Sequence, residues 1–291
     1  MTGPVGLWTA ALDALPLARA LEVVGELDEQ GWAALWFGEA YGREAFTAAQ
    51  LYLGASRRML VATGIASIYG RDAVAAAAAS RTLATAYPGR FLLGLGVSHA
   101  PLVERMRGHA YGKPVTAMRE YLDVMDAAPY AVAGDEQPAP RVLAALGPRM
   151  LELARERSAG AHPYLVTPQH TALAREVLGP EAILAVEQAG VVGEDVEQWR
   201  ARAHAHLEIY TGLPNYRESW RRQGFSEPDW VRGGSERLKE AMVPRGVEAV
   251  RARVQEHLDA GASTVCVQVL GADAFAVPES DWRTLAPALL G

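Results

Sequence analysis

Eight short apolar runs alternate with helical patterns along this chain of 291 residues, and this alternation constrains the fold more than any other feature. Each run has the length of a strand buried on both faces, as in a parallel sheet. Eight β/α units in one chain predict an α/β fold, the (β/α)8 TIM barrel. The predicted strands are 5–8, 34–37, 60–67, 91–95, 141–145, 160–166, 183–186 and 263–269.

The helices between these strands are predicted from apolar residues at helical spacing and from residues that begin or end a helix. Thr167 is expected to cap one of them, with Pro168 at its first position. The other predicted helices are 16–30, 43–56, 72–87, 111–127, 148–157, 247–260 and 281–289. An open doubly wound sheet is the alternative fold, and its dinucleotide-binding glycines would follow the first strand. Residues 7–11 contain no glycine, which favours the barrel.

Residues 193–244, between the seventh and eighth predicted strands, depart from the alternation. They are expected to form a helical, aromatic-rich insertion within one domain that spans residues 1–291. Such an insertion at the catalytic end of a barrel is typical of a lid or a subunit contact. His204 and His206 lie two residues apart on a predicted helix and are expected at the surface. Most of the aromatic residues are expected only to pack against the barrel: Trp199, Tyr210, Tyr216, Trp220, Phe225 and Trp230.

Composition excludes several classes of protein. The formal net charge of −6 gives no reason to expect binding to nucleic acid or to an anionic membrane. The single cysteine, Cys266, excludes an intramolecular disulfide and is expected in the core. The N-terminal residues lack the basic region of a signal peptide, and no apolar run is long enough for a membrane span. We therefore expect a cytoplasmic protein.

The carboxyl ends of the strands in such a barrel meet at one mouth, where ligands bind. At residues 146–150, a glycine precedes a helix with proline in its first turn, and the free N–H groups beside Arg149 predict an anion site. Glu39 is the only carboxylate that we place at a strand end, so no metal site is predicted. The residues expected at this mouth are Trp8, Glu39, Ser67, Tyr69, Ser98, His99, Gly147, Arg149, His162 and Tyr164.

Several motifs together resemble the luciferase-like oxidoreductases, and more closely their deazaflavin branch. They are Val-Ala-Thr-Gly-Ile at 61–65, Tyr-Gly-Arg at 69–71, residues 88–99 and 146–151, Gly-Ala-His-Pro-Tyr at 160–164 and Ala-Gly-Ala at 260–262. The resemblance implies a barrel that holds coenzyme F420, or FMN in other branches, with the ring in the mouth. It also implies hydride transfer between that ring and a small ketone, alcohol, enone or imine, and a homodimer.

The resemblance also assigns roles to individual residues. It implies that Gly147, Arg149 and Met150 bind the cofactor phosphate. Gly64 and Ile65 match a bulge that supports the ring, and the bond between them is expected to be a cis peptide. The other residues expected to contact the cofactor are Ser98, His162 and Tyr164, and those expected to contact the substrate are Trp8 and Tyr69.

Proton handling is assigned less directly by the resemblance. Glu39 matches the polar position that ends the second strand, and many relatives have a histidine directly after it. Here that residue is Ala40, so Glu39, His99 or solvent would take the role. Two alternative functions stay open at this point. One is FMN-dependent monooxygenation, and the other is a flavin-binding protein without catalytic activity.

Overall fold

The computed structural model describes residues 3–133, 137–273 and 276–291, and within them it shows a closed parallel barrel surrounded by helices. Its strands are β1 Val5–Trp8, β2 Ala34–Phe37, β3 Leu60–Thr63, β4 Ala66–Ser67, β5 Phe91–Gly96, β6 Arg141–Leu143, β7 Gly160–Ala161, β8 Ile183–Gly190 and β9 Thr264–Val269. They pair in the order β3-β2-β1-β9-β8-β7-β6-β5-β4, and β3 also pairs with β5. The predicted TIM barrel is therefore confirmed.

Three strands differ most from their predicted extent, and three others differ by one or two residues. The third is interrupted at the peptide bond between Gly64 and Ile65, which is cis as expected, so that β3 and β4 both pair with β5. The sixth predicted strand, 160–166, is reduced to the two residues of β7. Pro163 has no N–H group to donate to a neighbouring strand, and Leu165 turns the chain at a φ of 53°. In contrast, β8 continues beyond the predicted end at residue 186 and reaches Gly190.

The helices follow the predicted alternation. They are α1 Leu17–Gln30, α2 Ala45–Ala55, α3 Ala73–Ala86, α4 Pro114–Ala127, α5 Pro148–Arg157, α6 Pro168–Leu178, α7 Val196–Tyr210, α8 Pro214–Arg222, α9 Glu236–Met242, α10 Val247–Asp259 and α11 Glu279–Leu290. The Thr167 hydroxyl accepts a hydrogen bond from the N–H of His170, which confirms the predicted cap of α6. None of the helices in the described residues is long and apolar enough to cross a membrane.

The barrel interior places the ends of the strands around one mouth. Trp36, Ala62, Val142, Ala185 and Cys266 are buried inside the barrel, and Cys266 is the core residue that was predicted. Side chains two residues further along a strand point to the same face, so the next layer toward the mouth follows directly. These next positions are Gly38, Gly64, Ala144, Glu187 and Gln268.

The insertion between β8 and α10 has its own hydrophobic cluster. Trp199, Leu207, Trp220 and Trp230 pack within it, as expected for most of its aromatic residues. The cluster continues into the barrel through Leu165 and Leu270, so the insertion is anchored beside the mouth. Whether the whole chain behaves as one domain stays a prediction.

Candidate active site

Trp8 lies across the floor of the mouth. Its indole Nε1 donates a hydrogen bond of 2.9 Å to the carbonyl oxygen of Gly64, and its ring meets Tyr164 edge-on at 5.4 Å between centroids. A Cβ atom at Gly64 would lie 2.6 Å from Nε1, and one at Gly38 would lie 3.2 Å from Trp8 Cζ2. The two glycines therefore make room for the Trp8 indole, a use of Gly64 that the sequence did not reveal.

His162 is buried beneath this floor as a neutral base. Its ring stacks on Trp36 at 4.4 Å, and Nδ1 lies 2.8 Å from the carbonyl oxygen of Ala185. Because a carbonyl oxygen only accepts, Nδ1 carries the proton and Nε2 keeps a free lone pair. Nε2 is buried and has no hydrogen-bond partner in the described residues. Burial lowers the pKa of His162 to about 4, which keeps the ring neutral.

Glu39, predicted to handle protons, lies in a buried ion pair with Arg71. Its carboxylate also accepts hydrogen bonds from the N–H groups of Ser67 at 2.8 Å and Ala45 at 3.3 Å. The side chains of Glu39 and Arg71 are only 5% and 11% exposed. This geometry gives Glu39 a structural role, because it ties the end of β2 to β4 and α2, and its catalytic role stays a prediction.

Ser98 and His99 follow β5 at the mouth, where the sequence places them. Ser98 has a φ of 55°, and its carbonyl oxygen accepts a hydrogen bond of 3.2 Å from the hydroxyl of Tyr111. The His99 ring meets Tyr216 of the insertion at 5.8 Å, and burial lowers the pKa of His99. Tyr69 instead contacts residues 109–112 through its ring and hydroxyl, so its predicted substrate contact stays untested.

The predicted anion site at the start of α5 has two guanidinium groups. Arg149 is exposed and has no hydrogen-bond or ion-pair partner within the described part of the chain. Arg222, from α8 of the insertion, donates a hydrogen bond of 3.2 Å to the carbonyl oxygen of Leu146. Its Nη2 atom lies 3.5 Å from the Cβ position at Gly147. Met150 is buried in the core, so its side chain packs beneath the helix rather than facing a ligand at this site.

Arg222 is thus a candidate binding residue that sequence reasoning missed. It lies 75 positions beyond Gly147 along the chain, from 147 to 222, and no local motif connects the two residues. Only the docking of the insertion against the barrel brings the arginine to the start of α5. Together with Arg149 and the helix start, it makes this edge of the mouth strongly favourable for an anion.

Three insertion residues reach the mouth beside Tyr164, which follows β7. The Tyr210 hydroxyl donates to the Tyr164 hydroxyl at 3.3 Å, and Tyr164 donates to Gln268 Oε1 at 2.6 Å. Tyr216 packs on Tyr210 with 4.7 Å between ring centroids. The expected surface position of His206 is wrong, because its ring faces Tyr164 at 6.2 Å and its Nε2 atom is buried. Burial lowers the pKa of His206 to about 4.

Glu187 is a buried carboxylate that the sequence analysis did not single out. It lies within β8, three residues before this strand ends at Gly190. Its side chain is 1% exposed, and Oε2 accepts a hydrogen bond of 2.9 Å from the N–H of Leu165. Oε1 is buried without a partner in the described residues. Burial raises the pKa of Glu187 to about 8, so the carboxyl is mostly protonated at pH 7.

Several known proteins resemble this chain in sequence or in fold. A putative coenzyme F420-dependent oxidoreductase of Mycobacterium tuberculosis is 31% identical over 121 residues, which cover 42% of this chain. The chain spans about a third of the length of this curated relative, 35%. An F420-dependent secondary alcohol dehydrogenase, in complex with an F420-acetone adduct, has a TM-score of 0.75 at 17% identity over 99% of both chains.

Another solved structure shares this fold over its full length. The coenzyme F420-dependent tetrahydromethanopterin reductase from Methanopyrus kandleri has a TM-score of 0.74 at 16% identity, and the match covers 100% of this chain and 99% of that one. The sequence profile of one family, described as luciferase-like monooxygenase, matches residues 4–264. The resemblance seen in the motifs is therefore confirmed, and the chain belongs to the luciferase-like monooxygenase family.

Proposed function

We propose that this protein is an F420-dependent oxidoreductase, which transfers a hydride between the deazaflavin ring and a small organic substrate. The relative from Mycobacterium tuberculosis and both compared structures carry F420 in their names, which supports this cofactor. The observation that carries the proposal is the anion site at the start of α5. There an unpaired Arg149 and the insertion's Arg222 flank a glycine at the mouth of a barrel.

The residues at this site fit the phosphate that such a cofactor carries. A Cβ atom at Gly147 would meet nothing closer than Arg222 Nη2 at 3.5 Å, so a phosphate can approach the backbone there. Gly147, Arg149 and Arg222 would hold that phosphate through charge-assisted hydrogen bonds. When bound, the deazaflavin supplies or accepts a hydride with its two electrons.

The chain's own residues would orient the ring and keep water away from it. Ile65, Ser98 and Tyr164 would contact the ring, as the resemblance implies, and Trp8 would lie beside them at the floor of the mouth. Tyr210 and Tyr216 reach the mouth from the insertion, so they would exclude water during hydride transfer. His162 offers only a lone pair at Nε2, because its Nδ1–H donates to Ala185.

Fluorescence titration with F420 and with FMN tests the choice of cofactor. We expect F420 to bind in a one-to-one ratio and more tightly than FMN. One-to-one binding of FMN without any binding of F420 would favour the alternative, an FMN-dependent monooxygenase. Single-turnover reactions of reduced F420 with ketones, enones and imines then test catalysis. Binding of F420 without turnover of any of these compounds would point to a non-catalytic flavin-binding protein.

We also propose that the protein acts as a homodimer through its insertion. Ile209 and Val231 are 70% and 54% exposed there, and a surface that pairs two copies often contains such apolar side chains. Light scattering after size-exclusion chromatography measures the mass directly. A mass of one chain at micromolar concentration would contradict the homodimer. The cytoplasmic location that was expected from the sequence stays a prediction.

A further inference from the structure

An arc of aromatic rings runs around one side of the mouth. It consists of Trp8, Tyr164, Tyr210, Tyr216 and His99, each in contact with the next. The successive distances between ring centroids are 5.4, 5.5, 4.7 and 5.8 Å. The arc starts on β1, passes through the insertion and ends just after β5. A ligand that enters this side of the mouth would therefore meet a continuous row of aromatic rings.

Glu187 lies beneath this arc without a cationic partner. Its carboxyl group is close enough to Tyr164, Tyr210 and Tyr216 to raise the pKa of each of them. No arginine or lysine in the described residues forms an ion pair with it, and its Oε1 atom has no hydrogen-bond partner. An organic cation would stabilise the ionised form of this unpaired carboxyl group, and it would also be attracted by the aromatic faces above the group.

The two arginines near the mouth do not contact this arc. Arg149 and Arg222 lie at the start of α5, and Arg222 contacts Leu146 and Glu218 rather than the arc. We assign these arginines to the cofactor phosphate. A substrate that carries a phosphate or carboxylate would therefore gain no ion pair from the rings of the arc.

We propose that the aromatic arc binds the substrate as an organic cation, an iminium ion, with Glu187 as its counter-ion. This inference rests on the proposed function, because it names the substrate class of the same site. The iminium carbon accepts a hydride and its two electrons from the reduced deazaflavin, and a C–H bond forms. The π pair of the C=N bond moves to nitrogen, so the product is a neutral amine and the deazaflavin is oxidised.

This reaction needs no proton from the protein, which agrees with the groups at the mouth. Glu39 is ion-paired with Arg71, and the Nδ1–H of His162 is committed to Ala185. Burial lowers the pKa of His99, so this ring is neutral near pH 7. A ketone would need a proton at its oxygen as the hydride arrives, whereas an iminium ion would not.

Binding of the cation is also expected to release a proton. Glu187 is mostly protonated at pH 7 without a ligand, because burial raises its pKa to about 8. The titratable groups that face it are Tyr164, Tyr210, Tyr216 and Cys266, and burial raises the pKa of all four, so they are neutral at this pH. A bound cation stabilises the carboxylate, so about one proton leaves for each cation that binds.

Calorimetry of the F420-bound protein tests this inference at pH 7 in two buffers of different ionisation enthalpy. The cation used is N-methyl-3,4-dihydroisoquinolinium, and α-tetralone serves as a neutral ketone of similar shape. We expect the cation to bind at least about tenfold more tightly than the ketone and to release about one proton. Glu187→Gln should abolish both effects. Glu240→Gln, at an exposed position of the insertion, should retain them.

Equal or tighter binding of the ketone, or proton release that persists in Glu187→Gln, would overturn the inference. Because Glu187 is buried, circular dichroism and thermal unfolding first show that the variant folds. If it does not fold, Tyr216→Leu replaces it, and cation binding should weaken in that variant more than ketone binding. F420 binding with a preference for ketones would refute only the iminium substrate, whereas failure to bind F420 would refute the proposed function.

Discussion

Glu187 and Trp220 bind opposite sides of one residue, Leu165. The Leu165 N–H donates to Glu187 Oε2 at 2.9 Å, and the Leu165 carbonyl oxygen accepts from Trp220 Nε1 at 3.0 Å. Leu165 has a φ of 53°, in the left-handed region that is unfavourable for a leucine. The backbone of this one residue therefore links β8 of the barrel to α8 of the insertion.

Trp220→Phe removes the donor to Leu165 and leaves its buried carbonyl oxygen without that partner. We expect the free energy of unfolding to fall by about 1–3 kcal/mol, the cost of an unsatisfied buried group. Trp230→Phe is the matched control in the same insertion, because Trp230 Nε1 is buried without a partner in the described residues. Urea unfolding measures both variants, and an equal loss in the two would show that ring size, not the hydrogen bond, matters.

Arg149→Ala and Arg222→Ala should each weaken F420 binding. We expect a loss of about 1.5–3 kcal/mol in each variant, the range for hydrogen bonds to charged groups. Arg155→Ala serves as the control, because Arg155 is exposed near the other end of α5. Fluorescence titration gives the three affinities. If all three variants lost the same affinity, net charge rather than a specific phosphate site would be responsible.

Acid should destabilise the protein below about pH 6.5, because buried histidines are neutral in the fold. Burial lowers the pKa of His162 and His206 to about 4 and that of His257 to about 3. The unfolded chain binds these protons near pH 6.5, so stability is complete above that pH and declines as the pH falls toward 4. Each histidine should cost about 2 kcal/mol of unfolding free energy at pH 5.

His257→Asn tests this pH dependence against an exposed histidine. We expect the difference in unfolding free energy between pH 7.5 and pH 5 to shrink by about 2 kcal/mol in this variant. His109→Asn, at an exposed position, should leave that difference unchanged. Urea unfolding at both pH values measures it. An unchanged pH dependence in His257→Asn would mean that His257 is already protonated in the fold.

Glu187 should have the opposite pH dependence. Its pKa is raised to about 8 in the fold from 4.5, so the unfolded chain loses its proton at a lower pH. The stability that the neutral carboxyl contributes is complete below about pH 4.5 and is lost as the pH rises through 8. Between pH 5 and pH 8, the wild type should lose about 3–4 kcal/mol relative to Glu187→Gln. Urea unfolding at several pH values measures this difference. If the unfolding free energies of the two proteins changed with pH by the same amount, the raised pKa of Glu187 would be contradicted.

Glu39→Gln separates a structural role of Glu39 from a catalytic one. Breaking the buried pair with Arg71 should lower the free energy of unfolding by about 3–5 kcal/mol. Hydride transfer per folded molecule should stay within about twofold of the wild type, whereas loss of a general acid or base costs 100-fold or more. The exposed Glu104→Gln is the control for the charge change. If Glu39→Gln were fully folded and its single-turnover rate still fell 100-fold or more, Glu39 would be a catalytic residue.

The apolar runs in the sequence predicted the barrel, because a strand buried on both faces must be apolar throughout. The glycine and proline at 147 and 148 correctly predicted the start of α5, and the anion site beside Arg149 stays a prediction. Glu187 and Arg222 were not recognised. Glu187 interrupts an apolar run only near its end, and Arg222 reaches the mouth through the packing of α8, which no local pattern encodes.

The insertion leaves the barrel and returns to it at one point. Val191 and Arg245 form a parallel β-bridge, in which the N–H of Val191 donates to Pro244 O at 3.1 Å and the N–H of Gly246 donates to Val191 O at 2.8 Å. A segment that replaced residues 192–244 would therefore join the barrel backbone at this one bridge. Such a segment would have to supply a new donor to the carbonyl oxygen of Leu165. It would also replace Tyr210 and Tyr216 with its own side chains at the mouth. New substrate ranges are thus accessible by transplanting one segment rather than by redesigning the barrel.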